Sequence, residues 1–425
     1  MSADIQLAYV EIFIAAPDDL ERSPQEISQF QMILTEFKER FPKSTRLQSM
    51  PIDPEHPLDS IRATLLKASK RTENVVDLYK HNRIPIPTFS RLLGRDLYHS
   101  WLNIVADADL TLLSSDGTEQ EHQESQSLLT TRDGFLIEPI TLFTFSSLGL
   151  LDRLTKLGDI CVAQRSLDQL HELQARRRTA DRQTGVIGMV DGEVFVHEIT
   201  PEEAVRTNSA LTDAAHWAEK HSRVVGLTEP LTKDDKKWAR VLGVPAMAAM
   251  LVAKQRALVL LTDDKNFGDI AKQNYGVSFV NSQAVLIRLA ALKFISQEDY
   301  DRAVLKLFES GYTLTNVNDD HLFTIISAEQ FQLTTRVKRA LRAFEPATIA
   351  LVPACAAVAG LVVRIYIESI PDQMREQLSF YMLDALAANH PKIQVKRLVY
   401  EFVQQRMTPV LALQLAKIVR LLNRW

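Results

Sequence analysis

Short apolar segments alternate with helical patterns between residues 134 and 318, and this alternation most constrains the fold. The clearest segment is Ala257–Leu261, which is apolar throughout, and similar segments begin at Phe135 and Ile160. Strands that are separated by helices usually form a parallel sheet, and helices on both faces of such a sheet make its strands uniformly apolar. The pattern therefore predicts an α/β fold with a parallel sheet flanked by helices.

Regions of different pattern flank the predicted sheet. The segment Tyr9–Ile14 alternates like a strand, and an amphipathic pattern from Pro24 to Phe41 predicts a helix. Ser23 and Glu26 can begin this helix as a capping box. Beyond residue 318 no strand pattern is present, which indicates a helical domain. We therefore predict an N-terminal α+β module, a central α/β domain and a C-terminal helical domain, at residues 1–132, 133–318 and 319–425.

Two local patterns give more specific predictions. Val186–Val190 and Glu193–His197 flank Asp191-Gly192, a dipeptide typical of tight hairpin turns, so we predict a β-hairpin. In Arg83–Phe89 the prolines at positions 85 and 87 fix the backbone and disfavour a helix at the residues before them, so this segment is predicted to be extended.

Composition excludes several classes of protein. The chain has 425 residues and a net charge of −4, so it is not a uniformly basic nucleic-acid coat and any polyanion site must be local. Cys161 and Cys355, its two cysteines, are too few for a disulfide framework or a thiolate zinc site, which favours a reducing compartment. The first residues do not form a secretory signal pattern. We therefore predict a cytoplasmic protein.

The longest apolar segment runs from Ala347 to Val363 and is interrupted by Pro353 and Gly360. It is shorter than the roughly 20 apolar residues that a membrane span needs. We expect a buried pair of helices here and no membrane association.

Acidic residues follow two of the predicted strands. Glu138 follows the strand that begins at Phe135, and Asp263 and Asp264 follow Ala257–Leu261. Ligands of open parallel sheets bind outside the carboxyl ends of the strands, where these carboxylates would meet. They could hold Mg²⁺ or Mn²⁺, or the aspartates could cap the helix that begins near Lys265. The pattern leaves both interpretations open.

Basic residues near the predicted sheet could bind the phosphates of a nucleic acid, or they could be solvated helix faces. The first group precedes the predicted hairpin and the second precedes the helical pattern at Ala246. The candidate nucleic-acid ligands are Arg176, Arg177, Arg178, Arg182, Lys236 and Lys237.

The central region resembles the PIN domain, a small α/β metal-dependent ribonuclease fold. The segments that carry the resemblance are Phe135–Leu142, Leu148–Leu154, Ile160–Leu170, Ala257–Lys265, Val277–Leu286 and Ile295–Tyr300. The hairpin at Asp191-Gly192 and the segment Ser296–Tyr312 are similar to a bacterial subgroup of large PIN proteins. In that subgroup a module likened to the C-terminal domain of GreA and GreB precedes the PIN domain. Arg83–Ile86, Gly94-Arg95 and Gly117–Glu121 resemble this module.

The resemblance implies a metal-dependent endoribonuclease that acts as a toxin or in phage defence. In this hypothesis Glu138, Asp263 and Asp264 are catalytic and hold Mg²⁺ or Mn²⁺, with Asp168 and Asn281 as further ligands. The metal would activate water to attack an RNA phosphodiester.

The sequence also departs from the PIN pattern. A PIN site normally begins with aspartate, where this chain has Glu138, and it usually has glutamate where this chain has Gln169. These departures support an alternative, a degenerate PIN scaffold that acts as a non-enzymatic binding or sensor subunit in a defence or transcription-linked complex. The helical C-terminal domain would bind its protein partner. A third hypothesis, a transcription- or translation-associated regulator, depends on the N-terminal module.

Overall fold

The computed structural model describes residues 6, 23–41, 57–81, 84–107, 109–180, 185–190, 193–198, 200–313, 319–342, 344, 350–368, 370–407 and 412–425. The predicted strand Tyr9–Ile14 and the turn Asp191-Gly192 lie outside these residues. The described chain groups into two compact units. One comprises residues 1–73 and 172–209, and the other comprises residues 74–171 and 210–425.

Helices dominate the chain. Up to residue 221 the helices are α1 (Pro24–Arg40), α2 (Pro57–Lys80), α3 (Ile86–Leu93), α4 (Leu97–Ala106), α5 (Glu119–Thr131), α6 (Pro139–Leu148), α7 (Gln164–Ala180) and α8 (Pro201–His221). They continue with α9 (Lys233–Leu242), α10 (Val244–Arg256), α11 (Lys265–Tyr275), α12 (Ser282–Ala291) and α13 (Gln297–Glu309). The C-terminal helices are α14 (Asp319–Ala328), α15 (Thr335–Arg342), α16 (Leu351–Ile367), α17 (Asp372–Ala387), α18 (Lys392–Arg406) and α19 (Ala412–Arg424).

The strands are short and most of them belong to one sheet. They are β1 (Gly134–Ile137), β2 (Asp159–Ala163), β3 (Gly185–Val190), β4 (Glu193–Glu198), β5 (Arg223–Val225), β6 (Val259–Leu261) and β7 (Phe279–Val280). Five of them form a parallel sheet in the order β5-β2-β1-β6-β7. Leu136 in the central strand is paired with Cys161 on one side and Leu260 on the other, and all three are fully buried. The predicted α/β fold is confirmed.

The unit formed by residues 1–73 and 172–209 contains two elements that the sequence predicts. Helix α1 begins with the expected capping box, in which the Ser23 hydroxyl accepts from the Glu26 amide and the Glu26 carboxylate accepts from the Ser23 amide. Strands β3 and β4 pair as an antiparallel hairpin.

The predicted extended segment Arg83–Phe89 is wrong in its second half, because helix α3 begins at Ile86. Pro85 has extended backbone and precedes the first residue of the helix. Pro87 lies in the first turn, where a helix needs no amide donor, so it is compatible with the helix. The two prolines therefore mark the start of a helix.

All regular secondary structure among the described residues of the C-terminal region is helical. The described part of the long apolar segment, from residue 350, contributes to one helix, α16, where a helix pair was expected. Pro353 is tolerated because it lies in the first turn of that helix. Helix α16 packs against α14, α17, α18 and α19, which bury it. In the described part of the chain no helix is long and apolar enough to cross a membrane.

Candidate functional site

Three acidic residues lie at the carboxyl edge of the sheet, after its central strand and the neighbouring strand. Glu138 follows β1, and Asp263 and Asp264 follow β6, the neighbour of β1. Their exposed fractions are only 3%, 0% and 3%. The Thr262 hydroxyl donates to Oε1 of Glu138 at 3.2 Å, so the loop after β6 contacts the acid after β1. We call these three residues the acid cluster.

Asp263 holds the start of a neighbouring helix. Its Oδ1 accepts from the Ser282 amide at 2.7 Å, and its Oδ2 accepts from the Ser282 hydroxyl at 2.6 Å. Ser282 is the first residue of α12, which follows edge strand β7. Both oxygens of Asp263 are therefore committed to the N-terminus of α12.

Asp264 connects two helices that are distant in sequence. Its Oδ1 accepts from the Phe267 amide at 3.1 Å, which caps the N-terminus of α11. Its Oδ2 accepts from the Ile86 amide, the first of α3, at 2.5 Å. Asp264 therefore caps the helix that begins at Lys265, as one of the two interpretations of the sequence predicted. Its contact with α3 was not predicted.

Helix N-termini surround the acid cluster. Helices α6, α11 and α12 begin directly after Glu138, Asp264 and Asn281, and α3 begins at the Ile86 amide that contacts Asp264. The N-terminus of a helix carries a partial positive charge and free amide donors. These helices therefore supply part of the positive potential that a bound cation would supply to the carboxylates.

Burial makes the acid cluster a poor environment for negative charge. It raises the pKa of Asp264 to about 7 and also raises the pKa of Asp263. The pKa of Glu138 lies well above its usual range because of burial, with the charges of Asp264 and Asp263 as further causes. Each shift reflects the cost of ionising a carboxyl group away from water.

Two buried tyrosines, Tyr79 and Tyr312, lie near enough to the acid cluster to interact with its charges. The Tyr312 hydroxyl accepts from Nε1 of Trp101 at 2.9 Å and shares a hydrogen bond of 2.8 Å with the Thr144 hydroxyl. Tyr79 is 5% exposed and its ring centroid lies 4.6 Å from that of Phe89 on α3. The pKa of Tyr79 is raised mainly by burial and also by the charge of Asp264, and burial raises that of Tyr312 in the same way.

The sequence interpretation missed Ile86, Tyr79 and Tyr312. Ile86 and Asp264 are 178 positions apart, and the contact uses a backbone amide that any non-proline residue would offer. The only sequence feature that could have pointed to Ile86 is the pair of prolines at the start of α3.

The other predicted metal ligands are also engaged elsewhere. Oδ1 of Asn281 caps α12 through the Ala284 amide at 2.9 Å, and its Nδ2 donates to the Ser114 carbonyl at 3.0 Å. Asp168 lies on α7 with an exposed side chain that accepts from Gln164.

These residues do not fit a site for Mg²⁺ or Mn²⁺ in this conformation. Such ions need several oxygen ligands that face one point and usually retain water. Among the described residues no group of three or more His, Cys, Asp or Glu side chains is placed to hold a metal ion. The oxygens of Asp263 and Asp264 instead face amides and a hydroxyl.

The predicted nucleic-acid ligands fall into two groups. On α7, Arg176 forms an ion pair with Glu172, while Arg177 and Arg178 belong to the helix but their side chains lie outside the described part. Arg182 also lies outside the described residues. On α9, Lys237 forms an ion pair with Asp234, and Lys236 is exposed.

The sheet order, the covering helices and the acids at the carboxyl edge define a PIN-like α/β domain. Residues 136–273 match the model of a family described as a PIN domain associated with the TPR-GreAB-C-PIN system. The match supports the predicted PIN domain over these residues. It begins beyond residue 121, so the likeness of the preceding segments to GreA and GreB stays a prediction. Comparison with curated proteins and with solved structures gave no match.

Proposed function

We propose that this chain is a non-cutting PIN scaffold, which serves as a binding or sensor subunit in a system of the TPR-GreAB-C-PIN kind. The observation that carries the proposal is the commitment of Asp263 and Asp264 to helix N-termini. Acids used in this way stabilise the fold and leave no oxygen directed to a shared metal ion.

The covering of the acid cluster supports the same proposal. A phosphodiester that is to be cleaved must reach the metal and the attacking water. Here Ile86 occupies one oxygen of Asp264, and Tyr79 and Tyr312 are buried beside the cluster. The C-terminal helices α14–α19 are the surface through which the scaffold would bind a protein partner in this proposal.

A metal-dependent endoribonuclease is the second candidate, and two observations favour it. The match is to a PIN family, and the acids after β1 and β6 lie at the same edge of the sheet. For cleavage, the contact between Ile86 and Asp264 would have to open so that Glu138, Asp263 and Asp264 could share a metal ion. A role as a toxin or in phage defence would then follow from the family resemblance.

RNA cleavage distinguishes the two candidates. End-labelled single-stranded RNA is incubated with the purified chain and Mn²⁺ or Mg²⁺, and the products are resolved on a sequencing gel. We expect the unaltered chain to cleave no more RNA than an Asp263→Asn variant does. The reason is that the carboxylate of Asp263 accepts hydrogen bonds from the first residue of α12. The matched control is Asp234→Asn, which alters an exposed acid on α9. Cleavage that persists in the control but is lost in Asp263→Asn would overturn the scaffold proposal.

A further inference from the structure

A cavity of about 810 Å³ lies between helix α5 and β7, which is the strand at one edge of the sheet. Its lining comes from the start and one side of α5, from one side of α11, and from β7 with the flanking residues Ser278 and Asn281. All of these elements belong to the same compact unit. We call this cavity the edge groove.

The backbone of Phe279 in β7 faces the edge groove. The carbonyl oxygens of Ser278 and Val280 accept from the amides of Leu260 and Thr262, in and after β6, at 2.9 and 3.0 Å. Successive residues of a strand direct their backbone groups to opposite sides, so the amide and carbonyl of Phe279 point away from β6. Neither group forms a hydrogen bond with another described residue. Such free groups at a sheet edge are a template for pairing with another chain.

Helix α5 runs beside this edge but leaves a cavity there, although a helix at a sheet edge normally covers it. It packs instead on α12, where Nε2 of Gln126 donates to the Ala284 carbonyl at 3.3 Å. An exposed ion pair of 2.7 Å between Lys272 of α11 and Glu124 of α5 bridges the groove. Because exposed ion pairs contribute little to stability, this bridge can open at little cost.

The lining of the edge groove has more acidic than basic residues. They are the acids Asp116, Glu121, Glu124 and Asp269 and the lysines Lys265 and Lys272. Both lysines already contact lining acids, since Nζ of Lys265 lies 3.1 Å from Oδ2 of Asp269 and 3.7 Å from Oδ2 of Asp116. Burial raises the pKa of Glu121 to about 8, and a cation beside this carboxyl group would favour its ionised form. The groove therefore attracts a further cation and repels phosphates.

We propose that the edge groove binds an extended segment of a partner protein that carries a basic side chain. The segment would pair with the amide and carbonyl of Phe279 and add a sixth strand to the sheet. In this mode the backbone hydrogen bonds supply affinity, and the pockets for alternate side chains supply specificity. The acidic lining would receive the basic side chain. The volume of the groove lies within the range of about 300–1,000 Å³ that is usual for binding pockets.

This inference goes beyond the proposed function and does not depend on it. Glu138, Asp263 and Asp264 do not belong to the lining, which also differs from the surface of α14–α19. A segment could therefore bind here whether or not the acid cluster binds a metal ion. The RNA cleavage assay tests the proposed function alone.

Fluorescence anisotropy of labelled hexapeptides with the full chain tests the proposal. A peptide in which lysine alternates with valine should bind saturably, with a Kd below about 1 mM. Its counterpart with glutamate in place of lysine should bind at least about threefold more weakly, because the lining is acidic. A lysine peptide that is N-methylated at every backbone amide should lose at least about fivefold, because it has no donors for strand pairing.

Hydrogen exchange of the chain locates the bound peptide. The Phe279 amide has no acceptor among the described residues, so it should exchange at least about tenfold more slowly once the lysine peptide supplies one. The amides of Arg223–Val225 in β5, the strand at the other edge of the sheet, should be unchanged.

Charge-addition variants test the acidic lining. Gln120→Lys, Gln123→Lys adds two positive charges to exposed lining positions of α5, where each side chain contacts a glutamate one turn away. This variant should bind the lysine peptide at least about fivefold more weakly. The control Gln394→Lys, Gln404→Lys adds the same charge to exposed positions of α18 and should bind within about twofold of the unaltered chain. Circular dichroism verifies that both variants are folded.

Four outcomes would overturn the proposal. The first is no saturable binding of the lysine peptide by the unaltered chain. The second is equal binding of the glutamate peptide or of the methylated peptide, and the third is an equal loss of affinity in the control and in the α5 variant. The fourth is self-association of the unaltered chain in sedimentation that the α5 variant abolishes, which would identify a second copy as the occupant.

Discussion

Replacing Asp264 by alanine is expected to destabilise the chain by about 2–4 kcal/mol at pH 6. The loss of the cap on α11 costs about 1 kcal/mol, and the Ile86 amide, left buried without a partner, costs about 1–3 kcal/mol more. At pH 6 the carboxyl group is largely protonated in the fold, since burial raises its pKa to about 7. The substitution therefore relieves little charge repulsion between Asp264 and the other acids of the cluster. Urea unfolding measures the change in the free energy of unfolding.

Two comparisons sharpen this expectation. Asp264→Asn keeps one acceptor oxygen, so it should lose less stability than the alanine variant. Asp234→Ala removes an exposed acid at the start of α9 and should cost under about 1 kcal/mol. Functional-site acids are often destabilising, and their removal then raises stability. A gain of stability in Asp264→Ala would therefore indicate a strained ligand position and contradict a structural role.

The stabilisation that Asp264 contributes to the fold should fall as the pH rises from about 4 to 7. Its pKa is about 7 in the fold, against an ordinary value of 3.8. Between these pH values the folded chain binds more protons than the unfolded chain, so each rise in pH favours unfolding. Three pKa units correspond to about 4 kcal/mol, which is the upper limit of the effect.

The measurement is urea unfolding at several pH values for the unaltered chain and for Asp264→Asn. The variant should lose the contribution of Asp264 and retain that of the other buried carboxyl groups with raised pKa values, Glu121, Glu138 and Asp263. The stability of the unaltered chain relative to the variant should decrease steadily with pH. Parallel curves for the two proteins would show that folding does not raise the pKa of Asp264.

Features that depend on local sequence could be predicted. The apolar run Ala257–Leu261 contains β6, and the capping box at Ser23 begins α1 as its spacing indicates. The position of Glu138 after β1 was also evident, because an acid that interrupts an apolar run marks the end of a buried strand. Each of these signals lies within a few residues of the structure that it specifies.

Features that depend on long-range packing could not be predicted. The sequence showed that Asp263 and Asp264 could cap a helix or bind a metal ion, but both choices use the same residue types. The structure distinguishes them through the amides of Ser282 and Ile86, and Ile86 belongs to a helix whose prolines indicated extended backbone. Nearly every residue has a backbone amide, so the sequence does not show which amides will contact the acid cluster.

Calorimetric titration with Mn²⁺ tests most directly whether the acid cluster is structural. The chain is first treated with EDTA, dialysed at pH 7.5 and titrated to millimolar Mn²⁺. With Asp263 and Asp264 committed to helix N-termini, we predict no saturable heat of binding. A stoichiometric binding event that is lost in Glu138→Gln and Asp264→Asn but kept in Asp234→Asn would contradict the structural role of the cluster.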